Sequence, residues 1–177
     1  GTKPKDRAMT LATDLTPDAL RNVFAQHPSG IAALCAIVDG EPQGIVASSF
    51  TVGVSMDPPL VMFAVQNTSR TWPVVRSNAR IGVSVLSEKN EGVCRQIASK
   101  TGDRFAGLRL DSTDEGALLL HDASLWLDCS VEQEIPAGDH HVVLLRVHGH
   151  RTSDETNSPL VFHGSAFRRL EAEQLVS

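Results

Sequence analysis

Cysteine is scarce in this chain of 177 residues: Cys35, Cys94 and Cys129 are odd in number and widely spaced. No CxxC pair occurs, so a thiolate zinc site has no sequence support, and reduced thiols packed as small hydrophobes fit better than a disulfide framework. Long apolar runs are also missing. None approaches the roughly 20 residues of a membrane-spanning helix, and the opening GTKPKDRAMT lacks the apolar centre of a signal peptide. A cytoplasmic location without a membrane partner is expected. Basic runs are absent too: 16 Lys and Arg face 21 Asp and Glu, a formal charge of -5. Counterion release on nucleic acid would have little to work with, so nucleic acid is not an expected partner. His148-Gly149-His150 would put two imidazoles on one strand face, but no third ligand stands at a diagnostic spacing, and no metal site is expected.

What is present suits one domain. Hydrophobic residues make up 41% of the chain without a break in composition. The expected domain spans residues 16–171, between a flexible tail at 1–15 and a short one at 172–177. Thr16-Pro17-Asp18 starts a helix by capping, fixed φ and charge, and His27-Pro28-Ser29-Gly30 stops it, with Leu20, Val23 and Phe24 on one face. IAALCAIV (31–38) and GIVASSF (44–50) read as a hairpin across Asp39-Gly40. LVMFAVQ (60–66) and RIGVSVLS (80–87) read as strands, with a short helix at WPVVRS between them. A helix is expected at 90–100, then a flexible segment at 102–116. In SLWLDCSVEQEI, Leu125, Leu127, Cys129 and Val131 alternate with polar residues, as in a half-buried antiparallel strand. Its expected partner is HVVLLRVHGH, across a turn at Pro136-Ala137-Gly138-Asp139, and PLVFHGSAFRRL adds one last strand. Six or seven strands with short helices and no regular βα alternation predict a mainly β, antiparallel barrel or sandwich.

The stretch VASSFTVGVSMDPPL (46–60) places two adjacent serines among strand formers. Neighbours in a strand point to opposite faces, so Ser48 and Ser49 need two separate polar environments wherever the strand is covered. Asp57-Pro58-Pro59 redirects the chain. With SGIAAL before it and NTSRTWPVV, IGVSVLSE, DRFAG, AGDHHVVLLRV and PLVFHGSAF after it, this block resembles the short-chain flavin reductases, the reductase components of two-component flavin-dependent monooxygenases. The resemblance runs from about Leu20 to Leu170. It implies an antiparallel Greek-key split β-barrel that binds FMN, with FAD possible, near the interface of a homodimer. It also implies that NADH or NADPH reduces the flavin, which then serves a separate monooxygenase.

On that resemblance, Val46, Ala47, Ser48 and Ser49 lie along the flavin, whose flat ring needs close approach to main chain without bulky side chains. The alternative is that both serines satisfy local backbone at a bulge. A phosphate needs donors and charge, and Asn67, Ser69, Arg70 and Thr71 supply them at the start of a helix. Thr71 as an ordinary cap beside a solvated Arg70 is the competing view. Lys100, Arg104 and Phe105 are further candidate contacts, against simple solvated cations. His140, in Gly138-Asp139-His140, is the candidate catalytic residue beside the nicotinamide, against a hydrogen-bonded turn histidine.

Departures from the family pattern fall at Ser84, where asparagine is common, at Phe167, where tyrosine is common, and, more mildly, at Ser29 before Gly30, where threonine is frequent; the chain has no tyrosine. Three functions stay open: a reductase delivering reduced FMN, a flavin-binding electron carrier of the same fold without efficient nicotinamide turnover, and an oxidase of the pyridoxamine-phosphate type.

Overall fold

The computed structural model describes residues 8–170. Helix α1 (Pro17–Phe24) starts where Thr16 accepts a hydrogen bond from the Ala19 amide, and it buries none of its residues; Val23 and Phe24 remain exposed. Strands β1 (Ser29–Gly30), β2 (Ala32–Val38), β3 (Glu41–Ala47), β4 (Thr51–Met56) and β5 (Pro59–Gln66) follow. Helix α2 (Trp72–Arg76), β6 (Ile81–Val85), a 3-10 turn at Glu88–Asn90 and helix α3 (Glu91–Ala98) come next. The remainder is β7 (Leu110–Ser112), β8 (Leu118–Leu120), β9 (Leu125–Ala137), β10 (His140–Thr152), β11 (Val161–His163) and β12 (Ala166–Arg168).

Seven of these strands form one antiparallel sheet in the order β3-β2-β6-β9-β10-β5-β4. Its two outer strands, β3 and β4, are neighbours in sequence, joined only by Ser48-Ser49-Phe50. At about 3.3 Å per residue such a link spans roughly 10 Å. The sheet must therefore curl until its edges meet, and this closure makes it a barrel. One core fills the inside, with Ala32, Leu34, Phe63, Val83, Cys129 and Leu145 contributed by five strands and Trp72 and Val75 of α2 plugging an end. The fold is mainly β, antiparallel, with a few short helices.

β2 explains why IAALCAIV does not alternate. Its even residues enter the barrel core, while Ala33 and Cys35 join a second cluster outside, under Ile97 of α3, Leu118 of β8 and Leu160. A strand covered on both faces has no polar side to show. The Asp39-Gly40 turn has φ of 51° and 78°, the positive pair that a tight two-residue hairpin needs.

Elsewhere the expected boundaries shift. The strand expected at 44–50 stops at Ala47, and the two serines sit in the link rather than inside a strand. The segment expected to be flexible at 102–116 contains β7, paired with β8; three-residue strands are too short for alternation to reveal them. β9 runs through Ala137, so the hairpin turn is Gly138-Asp139 alone. Pro136 is tolerated there because β6 pairs only with Leu125 to Cys129 of β9, leaving the rest of that edge without a ladder to break. The last expected strand divides into β11 and β12 at Gly164-Ser165, both at positive φ; β11 pairs with β12 on one side and with β1 on the other. Residues 8–15 carry no regular element, and the tail expected at 172–177 lies outside the described residues. Among the described residues no helix is long and apolar enough to cross a membrane, and no group of three potential metal ligands converges. His148 is engaged with Ser130 at 2.7 Å.

All three thiols are buried, and loss of hydration pushes Cys35 and Cys129 each up to about 12 and raises Cys94. We expect a thiol reagent at neutral pH to label none of them in the folded protein and all three after denaturation. Gly82 lies so close to the Leu118 peptide that an added Cβ would overlap it. Gly82→Ala should therefore destabilise the domain by about 3 kcal/mol, read as a lower unfolding midpoint at unchanged m-value.

Candidate functional site

The link that closes the barrel also forms one side of a cleft of about 880 Å3. Val46, Ala47, Ser48 and Ser49 line this side, and Ala64 to Gln66 of β5 line the adjoining floor. Ser69, Arg70 and Thr71 bound one end, joined by Lys100 and Arg104 from beyond α3, and His140 comes from the tip of the β9-β10 hairpin. Ten of the twelve candidate residues thus meet at one cleft.

The two serines divide their work. Ser49 Oγ accepts from the Ala64 amide at 2.9 Å and donates to the Ala64 carbonyl at 3.0 Å. The β4-β5 ladder pairs Thr51 with Met62, so two residues further on Ser49 stands opposite Ala64, and its hydroxyl replaces both main-chain bonds. For Ser49 the local-backbone reading therefore describes the structure, and its bonds hold the barrel seam shut. Ser48 is exposed in the cleft, and its hydroxyl makes no hydrogen bond among the described residues.

A similar division governs the 67–71 turn. Ser69 Oγ, not Thr71, accepts from the Trp72 amide, at 3.2 Å. Thr71 Oγ1 instead accepts from Arg104 Nη1 at 3.1 Å, which points a half-buried guanidinium toward the same end of the cleft. Helix α2 has only five residues, so its dipole adds little and the positive potential comes from side chains. Arg70 and Lys100 are exposed and without an ion pair among the described residues. In a chain of net charge -5, this end of the cleft gathers three cations. Trp72 anchors the turn from beneath, edge-on to Phe63 at 4.9 Å and donating Nε1–H to Glu134 at 2.8 Å.

At the hairpin tip a carboxylate can only accept, so His140 Nδ1–H donates to Asp139 Oδ1, at 2.7 Å, and Nε2 is not used in this bond. His140 is half-buried. Asn67 locks this tip to the turn: its amide N–H donates to the Asp139 carbonyl at 3.0 Å, its Nδ2 to the Gly138 carbonyl at 3.2 Å, and its Oδ1 accepts from His141 Nδ1 at 2.9 Å.

Asn67 and Phe105 do not line the cleft. Asn67 is spent on the clamp just described, and Phe105, 7% exposed, packs into the second core beside Gly44. The lining residues that sequence reasoning omitted include Ala64, Gln66, Thr68 and Ala98. Ala64 and Gln66 had a signal: in PLVMFAVQ they belong to the face opposite Val61, Phe63 and Val65, and Ala64 is the small residue in it. Ser84 and Phe167 also lie away from the cleft. Buried Ser84 Oγ accepts from the Leu120 amide at 3.0 Å, and Phe167 packs on Phe162 with the Arg95 guanidinium 5.2 Å from its ring centre.

The flavin reductase like domain family matches residues 24–171. The chain belongs to that family. A flavin reductase from Pseudomonas putida is 34% identical over 161 residues, covering 90% of this chain and 94% of the relative. Reductase subunit HsaB of a flavin-dependent monooxygenase from Rhodococcus jostii is 31% identical over 165 residues, covering 93% and 84%. The solved structure of the NADH:FAD oxidoreductase SgcE6 from Streptomyces globisporus, in complex with NAD and FAD fragments, superposes with a TM-score of 0.83 at 29% identity, covering 92% of this chain and 98% of that one. Within this family member, the small-residue wall, the cationic end and the histidine tip share one cleft.

The His140 imidazole holds the exposed Asp139 carboxyl below its ordinary value, first through the hydrogen bond and then through charge. A depressed carboxyl favours the folded hairpin above the unfolded midpoint, and that contribution disappears as pH falls through the folded one. Titration of the Asp139 carboxyl by NMR should give a midpoint below the usual carboxylate range, returning to that range in His140→Ala.

Proposed function

We propose that this protein is an NAD(P)H:flavin oxidoreductase that holds the FMN unit of its flavin in the seam cleft and supplies reduced flavin to a separate monooxygenase. The observation that carries this reading is the pairing, within one cleft of about 880 Å3, of a wall of small residues with an end bearing Arg70, Arg104 and Lys100. A flat ring can reach main chain at Ala47 and Ser48 because no large side chain intervenes, and a phosphate would meet two guanidinium groups and an ammonium. Ser48 offers a free hydroxyl to the ring edge or ribityl chain. A bound flavin would supply the two-electron acceptor, at N5, for hydride from nicotinamide C4, a transfer that needs stacking and exclusion of water more than a protein acid or base. His140, oriented by Asp139, would flank the nicotinamide or stabilise negative charge at the reduced ring edge.

The family relatives named as reductases and as a monooxygenase reductase subunit support this reading. A cytoplasmic setting, with its nicotinamide pools, belongs to it. So does a homodimer. Residues 61, 63 and 65 of β5 and 143 and 145 of β10 point into the barrel. Met62 therefore lies on its outside opposite Leu144, with Val142 opposite Ala64 and Leu60 opposite Arg146, next to exposed Val52, Val54 and Met56 of β4. An apolar sheet face of this kind suits burial against a second copy, and Ala64, Gln66 and His140 of the cleft continue it.

The electron-carrier reading differs in one measurement. Protein mixed with NADH or NADPH and excess free FMN should oxidise many equivalents of nicotinamide per chain; bound yellow flavin without turnover would instead identify a carrier. His140→Ala should weaken nicotinamide use more than FMN binding, and equal losses would make the residue structural. Arg70→Ala should raise the Kd for FMN about tenfold and leave riboflavin, which lacks the phosphate, unchanged. Light scattering in solution should give twice the 19.0 kDa chain mass.

A further inference from the structure

A second groove, of about 370 Å3, lies beside the cleft and shares Ser69 with it. Two exposed prolines flank it: Pro73 in the first turn of α2 and Pro136 on the free edge of β9. Between them Glu134 accepts from Trp72 Nε1 at 2.8 Å and from Arg76 Nη1 at 2.7 Å. The Arg76 side chain is 47% exposed, so the guanidinium offers further N–H donors while its charge is partly balanced. His141 closes the groove. Its Nδ1–H is spent on Asn67, and its Nε2 stands 4.0 Å from Glu134 Oε1.

Nothing in FMN requires this groove. Its composition fits what an adenylate adds beyond the flavin phosphate. Proline rings give a flat base rigid apolar flanks at little entropic cost, Glu134 is an acceptor for ribose hydroxyls or an exocyclic amine, and Arg76 is a cation for a second phosphate. Arg70 lines the cleft and Arg76 lines the groove, with Ser69 common to both, so a diphosphate crossing at Ser69 would have one guanidinium available on each side. We propose that the groove binds the adenosine 5′-phosphate half of FAD, so that this protein selects FAD over FMN. This inference rests on the flavin reading of the cleft.

Titrations of FMN and FAD into the full chain test it. The wild type should bind FAD about tenfold more tightly than FMN, and Arg76→Ala should erase that difference by weakening FAD while FMN stays within about twofold. Arg76→Gln, which keeps a donor for Glu134 and removes the charge, should act the same way and stands in if Arg76→Ala does not fold. FMN bound as tightly as FAD by the wild type, or equal weakening of both flavins in the variants, overturns the inference and leaves the cleft reading intact. Failure of the wild type to bind either flavin overturns both.

Discussion

Closure of the barrel at Ser48-Ser49-Phe50 is the constraint on which the site depends. The two edges of a seven-stranded sheet are held within three residues of each other, and a regular ladder cannot continue through so tight a link. Main-chain groups left over at such a point must be satisfied by something else. The Ser49 hydroxyl does this for Ala64 as donor and acceptor at once. Valine or alanine in its place would leave both groups of Ala64 unpaired, and a larger polar residue would fill the cleft. The requirement for a closed seam and the requirement for an open wall thus select the same small hydroxyl residue.

The second constraint is electrostatic. An acidic chain repels anionic flavins and nicotinamides over most of its surface, and a local concentration of cations must overcome that. Helix α2 is too short to help much through its dipole. Its contribution is mechanical: Trp72, buried against Phe63 and tied to Glu134, fixes the turn from which Arg70 projects. Arg104 is aimed from another part of the chain by Thr71. Asn67 then ties the turn that carries Arg70 to the hairpin that carries His140, so that the two keep one spacing.

The sequence made the architecture legible where burial leaves a period. Alternation in 125–131, the Asp39-Gly40 turn and the apolar run of β2 all correspond to elements, because each reports directly on which faces are covered. β7, β8 and the split between β11 and β12 were hidden, since three residues carry no period. The cleft was legible only through the resemblance, which marked segments rather than atoms. Residues near one another in a motif then separated in space: Phe105 turns into the second core while Arg104 turns to Thr71. Composition cannot distinguish those directions, because they follow from what α3 and Gly44 leave open.

That separation has a pattern. In each motif one polar residue is consumed in holding the backbone and a neighbour is left for a ligand. Ser49 closes the seam and Ser48 stays free; Ser69 caps α2 and Arg70 stays free; Asp139 is spent on orienting His140, whose Nε2 remains available. A ligand-facing group whose own position depended on the ligand would lose rotamer entropy each time flavin bound. Pairing each free group with a committed neighbour fixes it beforehand through rigid main chain. On the proposed reading, in which oxidised flavin is taken up and reduced flavin given up, this arrangement is an advantage, because a site that is already ordered need not bind tightly in order to bind in one orientation.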